Sequence, residues 1–144
     1  MSSHIQSFKN GLSTYIDCIS SAFSVGQRQL ICLARALLND NKYLVLDEAT
    51  SNVDMETDAF IQKIIRSKFI HTTVITVAHR LLTIADYDRV IVMERGEIKE
   101  MGSPWELIVN KGHFYDMVKH TGKDAEKIIR KAYKSLRENI KFEK

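Results

Sequence analysis

The sequence predicts an α/β fold in which a mainly parallel sheet is flanked by helices, with further helices at the C-terminus. Two runs of residues carry this prediction. In Tyr43–Asp47, four apolar residues lead straight into the adjacent carboxylates of Asp47 and Glu48, and Thr72–Val77 is rich in β-branched residues. Uninterrupted runs of this kind are typical of strands that are buried on both faces of a sheet. A segment with helical periodicity separates the runs, and the order strand, helix, strand indicates a parallel sheet.

Length and composition fit one domain with a modest core, because the chain has 144 residues of which 44% are hydrophobic. The net charge is +3, and it is unevenly spread. From Gly122 onward there are eight Lys/Arg against four Asp/Glu, so the rest of the chain is nearly neutral. A basic tail can bind nucleic acid or an anionic membrane surface, but a solvated helix face is the more common explanation.

Two features bear on the cellular compartment. Cys18 and Cys32 have no metal-ligand spacing, which favours reduced thiols in the cytosol. No apolar run approaches the length needed to span a bilayer, and the first residues lack the form of a signal peptide. A role at a membrane would therefore need spanning segments from elsewhere.

Helical signals precede the first strand. Within residues 1–22, apolar residues recur at helical spacing, and Asn10-Gly11 interrupts them. Ser24 then predicts the N-cap of a clear helix, and Gln27 completes a capping-box pattern. The apolar face of this helix is formed by Leu30, Ile31, Leu33, Ala34, Leu37 and Leu38. Residues 39–41 end it.

A second helix is predicted between the two strands. Asp54 has the position of its N-cap, and Glu56 and Asp58 are favourable in its first turn. The predicted buried stripe consists of Phe60, Ile61, Ile64 and Ile65. After the second strand, the pattern indicates a short helix over residues 81–85.

The remaining sequence predicts a hairpin and three helices. Runs that begin at Arg89 and Glu97 flank a tight turn, which indicates antiparallel strands. Ser103-Pro104 with Glu106 is a strong helix start, and a short helix is expected around residues 114–119. Residues 123–144 form an amphipathic helix, whose apolar face we expect to pack on the body of the protein.

The chemistry begins at the end of the first strand, where Asp47 and Glu48 lie side by side. Strands of parallel sheets deliver their last residues to the edge where α/β folds bind ligands. Two acids there are costly unless a cation meets them, and Mg²⁺ bound to phosphate is the natural candidate. Taken alone, however, a helix-capping acid beside a surface acid is an equally good explanation.

Four motifs in order resemble the nucleotide-binding domain of ATP-binding cassette (ABC) transporters. Phe23–Gln27 resembles the signature motif, and Tyr43–Asp47 resembles the Walker B strand. Ser51–Asp54 resembles the D-loop, and His79 resembles the switch histidine of the H-loop. The amino-acid sequence of residues 24–38 is most similar to that of the C-type, multidrug-resistance-associated branch. The resemblance covers roughly residues 11–121, so we divide the chain into a cassette part, 1–121, and a basic helical tail, 122–144.

The resemblance implies a partial P-loop NTPase fold of the ABC ATPase kind, with ATP and Mg²⁺ as cofactors. Asp47 would hold Mg²⁺, and Glu48 would be the catalytic glutamate that acts on the attacking water. His79 would contact the γ-phosphate and help to position that water. Were His79 considered alone, a capping or core histidine would be the better interpretation.

The resemblance also implies a head-to-tail dimer with a second nucleotide-binding domain. Asp54 would act across the dimer interface in addition to capping its own helix. The residues implied to contact the phosphate of ATP bound to the opposite domain are Ser24, Val25, Gly26 and Gln27. A helix N-terminus suits this role, because its unpaired amides and dipole favour anions, although a cap competes for the same donors.

The sequence departs from the family pattern in three respects. Phe23 and Val25 replace the commonest signature residues, Leu and Gly, although Val25 is familiar in C-type second domains. Residues 17–22 lack the acid and the glycine that the family usually carries there. No Gly-x-x-x-x-Gly-Lys-Ser/Thr motif, the Walker A loop that cradles phosphates, occurs in the sequence. We therefore expect the isolated chain to bind ATP weakly, to hydrolyse it negligibly, and to be marginally stable because its sheet lacks a neighbouring strand.

The favoured function is the C-terminal part of an ABC transporter ATPase domain. ATP hydrolysis there would be coupled to transport through separate transmembrane domains, at the cytoplasmic face of a membrane. One alternative is a non-catalytic remnant that docks on an intact cassette through residues 24–27 and the D-loop. A less favoured alternative is a soluble ABC ATPase acting on nucleic acid, which only the basic tail supports; no nucleic acid is expected as a partner.

Overall fold

The computed structural model describes residues 2–17, 22–39, 41–47 and 53–142, and it divides the chain into two compact units, Met1–Val77 and Ala78–Lys144. Glu48 and the D-loop residues Ser51 and Asn52, on which the sequence analysis placed roles, lie outside the described residues. The elements of the first unit are α1 (Ser2–Gln6), a 3₁₀ turn (Gly11–Ser13), α2 (Val25–Leu38), β1 (Tyr43–Asp47), α3 (Met55–Lys68) and β2 (Thr73–Val77).

The first unit has the predicted order of strand, helix and parallel strand. β1 pairs with β2 in parallel, with a register that runs from Tyr43 opposite Thr73 to Asp47 opposite Val77. Helices α2 and α3 lie against this pair, and the buried residues of their shared core are Leu33, Ile61, Ile65 and Phe69. Leu44, Leu46 and Val74 of the strands pack against that core. The parallel sheet expected from the sequence is therefore confirmed for these two strands.

The prediction that both strands are buried on both faces was wrong. Tyr43 and Val45 of β1 are 69% and 66% exposed, and Ile75 and Val77 of β2 are 53% and 52% exposed. These residues are exposed because only one face of the strand pair is covered. Within the described ranges, β1 pairs only with β2, and the helices contact one face of the pair. Phe60, predicted to be buried in α3, is also 54% exposed.

The second unit contains a hairpin followed by helices. Its elements are α4 (Leu81–Ile84), β3 (Val90–Glu94), β4 (Glu97–Gly102), α5 (Pro104–Asn110), α6 (His113–His120), a 3₁₀ turn (Gly122–Asp124) and α7 (Ala125–Phe142). β3 and β4 pair antiparallel, as predicted. Arg95 and Gly96 turn the chain with φ of 51° and 80°, and a turn with two positive φ angles matches the twist of the flanking strands.

The tail helix α7 belongs to the core of this unit. Ile128 and Ala132 are 1% and 2% exposed, and they pack with residues of α4, β3, α5 and α6. Lys131 fixes the helix further, because its Nζ donates to the carbonyl oxygen of Leu82 at 2.9 Å and pairs with Asp86 at 3.1 Å. The expected packing of the tail on the body is therefore confirmed, whereas the boundary at residues 121/122 stays a prediction. No helix in the described part of the chain is long and apolar enough to cross a membrane.

A carboxylate from the hairpin caps α6. Glu100 of β4 accepts hydrogen bonds from the amides of His113, at 2.7 Å, and Phe114, at 2.9 Å. Gly112 leaves room for this contact, since a Cβ atom there would overlap the Glu100 carboxylate. This cap could not be predicted from local sequence patterns, because Glu100 lies 13 and 14 residues before the amides that it accepts from.

Candidate functional site

The segment identified as the signature begins helix α2 with a complete capping box. The Ser24 hydroxyl accepts from the amide of Gln27 at 3.2 Å, and the Gln27 side chain accepts from the amide of Ser24 at 2.9 Å. The predicted capping pattern is thus confirmed. Because the cap satisfies the third helical amide, the amides of Val25 and Gly26 are the first-turn donors that α-helix geometry leaves outside it. They are available to an anion at the positive end of the helix dipole.

Aromatic rings hold the chain just before this helix. Phe23 is 6% exposed, and its ring lies 5.4 Å from that of His4 and 5.7 Å from that of Phe8. His4 Nε2 lies 3.0 Å from the carbonyl oxygen of Ala22, and Arg28 donates to the carbonyl oxygen of Phe23, also at 3.0 Å. No role for His4 was predicted from the sequence, because a ring that acts by packing leaves no spacing pattern.

Asp54, at the end of the predicted D-loop, caps helix α3. One carboxylate oxygen accepts from the amides of Glu56, at 3.1 Å, and Thr57, at 2.9 Å, and the other accepts from the Thr57 hydroxyl at 2.7 Å. These bonds, those from Thr57 foremost, hold the pKa of the Asp54 carboxyl below its usual value of 3.8. The capping role is confirmed, and the role across a dimer interface stays a prediction.

The two helix starts lie against each other. A Cβ atom at Gly26 would stand 2.8 Å from the methyl group of Thr57 and 3.4 Å from Cγ1 of Val53. Glycine at this signature position therefore permits a close approach of α2 to the start of α3. Gly26 and Asp54 were predicted from the sequence to be site residues, but Thr57 was not, because its only signal was its position three residues after an N-cap.

Asp47 lies at the last position of β1 and is exposed. Its place at the C-terminal end of a parallel strand is the place predicted. Within the described residues, no group of three or more His, Cys, Asp or Glu side chains is arranged to hold a metal ion. One carboxylate still fits Mg²⁺, which proteins commonly bind through one or two carboxylates together with water and substrate phosphates.

The structure brings together only part of the predicted site. Within the first unit, Gly26 lies against Thr57 and Val53, and the Thr57 hydroxyl donates to Asp54. His79 follows β2 by two residues and belongs to the second unit, where it is exposed. Its predicted role is therefore supported by its place in the sequence alone.

Comparisons with known proteins identify the class to which this fold and these motifs belong. The sequence profile of the family described as ABC transporter matches residues 5–51. The solved structure of a bacterial Atm1-family ABC exporter with ATP bound superimposes with a TM-score of 0.73 and 32% identity, covering 83% of this chain and 21% of the exporter chain. The α/β architecture is therefore that of a partial ABC ATPase fold.

The relatives also identify the branch. Over 120 residues, the chain is 51% identical to human ATP-binding cassette sub-family C member 4, and it is 52% identical over 122 residues to human sub-family C member 2. A probable multidrug resistance-associated protein of Drosophila melanogaster is 50% identical over 121 residues. These alignments cover 83–85% of this chain and 8–9% of the relatives. The chain carries sequence of an ABC transporter nucleotide-binding domain of the C-type branch, and it spans less than a tenth of the length of those relatives.

Proposed function

We propose that this chain forms the C-terminal part of an ABC transporter ATPase domain and contributes to two composite ATP sites. One contribution is the signature segment, which contacts ATP bound to the opposite nucleotide-binding domain. The other is a set of three catalytic residues for the ATP site of its own domain, Asp47, Glu48 and His79, to which the family resemblance assigns these roles. A Walker A-containing segment completes that site, and hydrolysis is coupled to transport of a substrate through transmembrane domains.

The observation that carries this proposal is the geometry at the start of α2. Ser24 and Gln27 satisfy each other, and the amides of Val25 and Gly26 are the first-turn donors for which an α-helix provides no partner of its own. The close contact of Gly26 with Thr57 fixes this turn against the start of α3. An anion is favoured there by the helix dipole and by two donors that need no rearrangement.

Three residues of the chain would act on Mg²⁺ and the γ-phosphate. Asp47 would hold the metal ion directly or through water, which fits the limited carboxylate coordination typical of Mg²⁺ bound to nucleotide. Glu48 would orient or deprotonate the attacking water, and His79 would contact the γ-phosphate. Mg²⁺, when bound, would neutralise charge on the phosphate oxygens.

The exposed face of the β1–β2 pair supports completion by another segment. Four apolar residues, two on each strand, are more than half exposed there: Tyr43, Val45, Ile75 and Val77. A contiguous apolar surface of this kind marks an interaction site on a protein. The Walker A-containing segment covers it in the complete domain, which lies at the cytoplasmic face of a membrane.

Ion pairs weaken the case for a nucleic-acid partner. Within α7 and the turn before it, Lys127 pairs with Asp124 at 2.8 Å and Lys134 pairs with Glu138 at 3.7 Å. Lys131 is engaged with Asp86. These pairs offset part of the positive charge that a phosphate backbone would need.

Two matched variants test the phosphate-binding role, because the chain contains two complete capping boxes. Ser24→Ala removes the box at the signature helix, and Ser103→Ala removes the equivalent box at α5. The assay titrates the labelled chain with an intact C-type nucleotide-binding domain, with and without MgATP. We expect nucleotide-dependent binding that Ser24→Ala weakens about tenfold, corresponding to about 1.4 kcal/mol, and that Ser103→Ala leaves unchanged.

Equal losses in the two variants, or binding that is indifferent to nucleotide, would contradict the proposed role of the signature. A second arm measures ATP turnover by the chain alone. Turnover that disappears in Glu48→Gln would contradict the need for a Walker A-containing partner segment.

A further inference from the structure

Thr57 occupies the third position of helix α3, and its two branches reach two different motifs. The hydroxyl donates to Oδ2 of Asp54 at 2.7 Å, and the methyl group lies 2.8 Å from the position that a Cβ of Gly26 would take. One side chain therefore touches both the carboxylate at the end of the D-loop and the backbone of the signature segment.

The two contacts depend on a single torsion angle. Threonine is branched at Cβ, so its hydroxyl and methyl groups rotate together about χ1 between a few staggered positions. A rotation that moves the methyl group away from Gly26 must also carry the hydroxyl away from Asp54. Val53 restricts the same space from another side, since it is 8% exposed and its Cγ1 lies 3.4 Å from the same Cβ position.

We propose that Thr57 is a positioning residue that couples the approach of the signature helix to the hydrogen bonds of the Asp54 carboxylate. When α2 lies close to α3, the methyl group occupies the space left by glycine and the hydroxyl stays on the carboxylate. A closer or bulkier α2 start turns the side chain and releases one carboxylate oxygen for another partner. The inference rests on the proposed function, because a coupling of this kind matters where both motifs meet the neighbouring domain.

Four variants separate the two branches of Thr57. Thr57→Val retains the methyl shape and loses the donor, and Thr57→Ser retains the donor and loses the methyl group. Gly26→Ala introduces the Cβ that the methyl group obstructs. The double variant Gly26→Ala/Thr57→Ser restores the space, so it measures whether the two positions interact.

The readout is the titration of the Asp54 carboxyl, followed by NMR in the full 144-residue chain. If Thr57 acted only by packing, its substitution would not change the pKa of the Asp54 carboxyl. Because the Thr57 hydroxyl helps to keep the pKa of Asp54 low, we expect Thr57→Val to raise that pKa and Thr57→Ser to leave it low. We expect Gly26→Ala to raise the pKa as well and the double variant to return it to the wild-type value.

An unchanged pKa of Asp54 in Gly26→Ala, or a double variant that does not restore it, would overturn the proposal. Alanine is the better helix former, so any loss of folding in Gly26→Ala reports the contact itself. If Gly26→Ala fails to fold and the double variant folds, the rescue supports the coupling; if neither folds, the coupling is refuted.

A separate arm distinguishes this inference from the proposed function. In the MgATP-dependent binding assay, we expect Thr57→Val, which removes the hydrogen bond to Asp54 and retains the methyl shape, to weaken binding about threefold. The NMR titrations could show the coupling while binding of the wild-type chain does not depend on nucleotide. In that case the proposed function fails and the coupling within the chain stands. If binding depends on nucleotide but Gly26→Ala leaves the titration of Asp54 unchanged, the coupling fails alone.

Discussion

At the scale of single residues, three side chains begin helices: Ser24, Asp54 and Ser103 each accept hydrogen bonds from amides of the helix that they cap. A cap acts within three residues of chain, so the sequence contains all the information that determines it. The contacts of Thr57 and His4 could not be predicted, because each depends on a partner that tertiary packing brings close.

Asp54 gives a residue-scale prediction about pH. Hydrogen bonds from the amide and hydroxyl of Thr57 lower the pKa of its carboxyl in the folded chain below the ordinary value of 3.8. A lowered folded-state pKa contributes stability that is present above the unfolded value and is lost as pH falls through the folded value. We therefore expect the stability difference between wild type and Asp54→Asn to be constant near neutral pH and to shrink below 3.8.

Urea unfolding at a series of pH values measures this difference. Asn can also cap a helix, so the substitution isolates the charge. Glu106→Gln is a matched case, because hydrogen bonds from Ser103 also lower the pKa of the Glu106 carboxyl. A difference for Asp54→Asn that stays constant into the acid range would show that its capping bonds contribute no charge-dependent stability.

At the scale of elements, helices and strands follow their sequence patterns, but burial does not. Every element predicted from residue 23 onward is present, with ends that shift by a few residues, as is usual. The apolar character of Val45 and Ile75 predicted cover on both faces, yet each is more than half exposed. Periodicity reports which face can be buried, whereas burial itself depends on what packs there.

The cap from Glu100 to α6 gives an element-scale prediction. Its carboxylate accepts from the first two amides of the helix, and charge-assisted bonds of this kind are the stronger ones. We expect Glu100→Ala to lower the free energy of unfolding by about 1–2 kcal/mol. Glu97→Ala, which removes an exposed acid of the same strand that pairs with Lys99, should change it by less than about 0.5 kcal/mol.

Denaturant unfolding measures the free energy of unfolding of Glu100→Ala and Glu97→Ala, and the two values are compared with that of the wild type. Gly112→Ala provides an independent check, because the added methyl group would collide with the same carboxylate and should destabilise α6 as well. Equal stability of Glu100→Ala and Glu97→Ala would mean that the contact between β4 and α6 contributes nothing to folding.

At the scale of the whole molecule, both compact units leave apolar strand residues exposed. The second unit buries Phe114, Val118 and Ile128 of its helices almost entirely, but four apolar residues of its hairpin are more than half exposed: Ile91, Met93, Ile98 and Met101. The first unit leaves one face of its parallel sheet open to solvent. Parallel sheets are normally covered on both faces, so the open face of β1 and β2 fits the proposed contact with a Walker A-containing segment.

The open face gives the last prediction, which concerns the behaviour of the isolated chain. Exposed apolar strand surface promotes self-association, so the wild-type chain should aggregate on heating without a cooperative monomeric transition. We expect Val45→Thr/Ile75→Thr to reduce this aggregation, since threonine retains strand propensity while adding a hydroxyl on the open face. Leu38→Gln is the matched control, because Leu38 is 86% exposed but lies on α2. Light scattering during thermal unfolding, with sedimentation to define the monomer, measures the effect; equal protection by Leu38→Gln would show that exposed apolar area in general, and not the open sheet face, drives association.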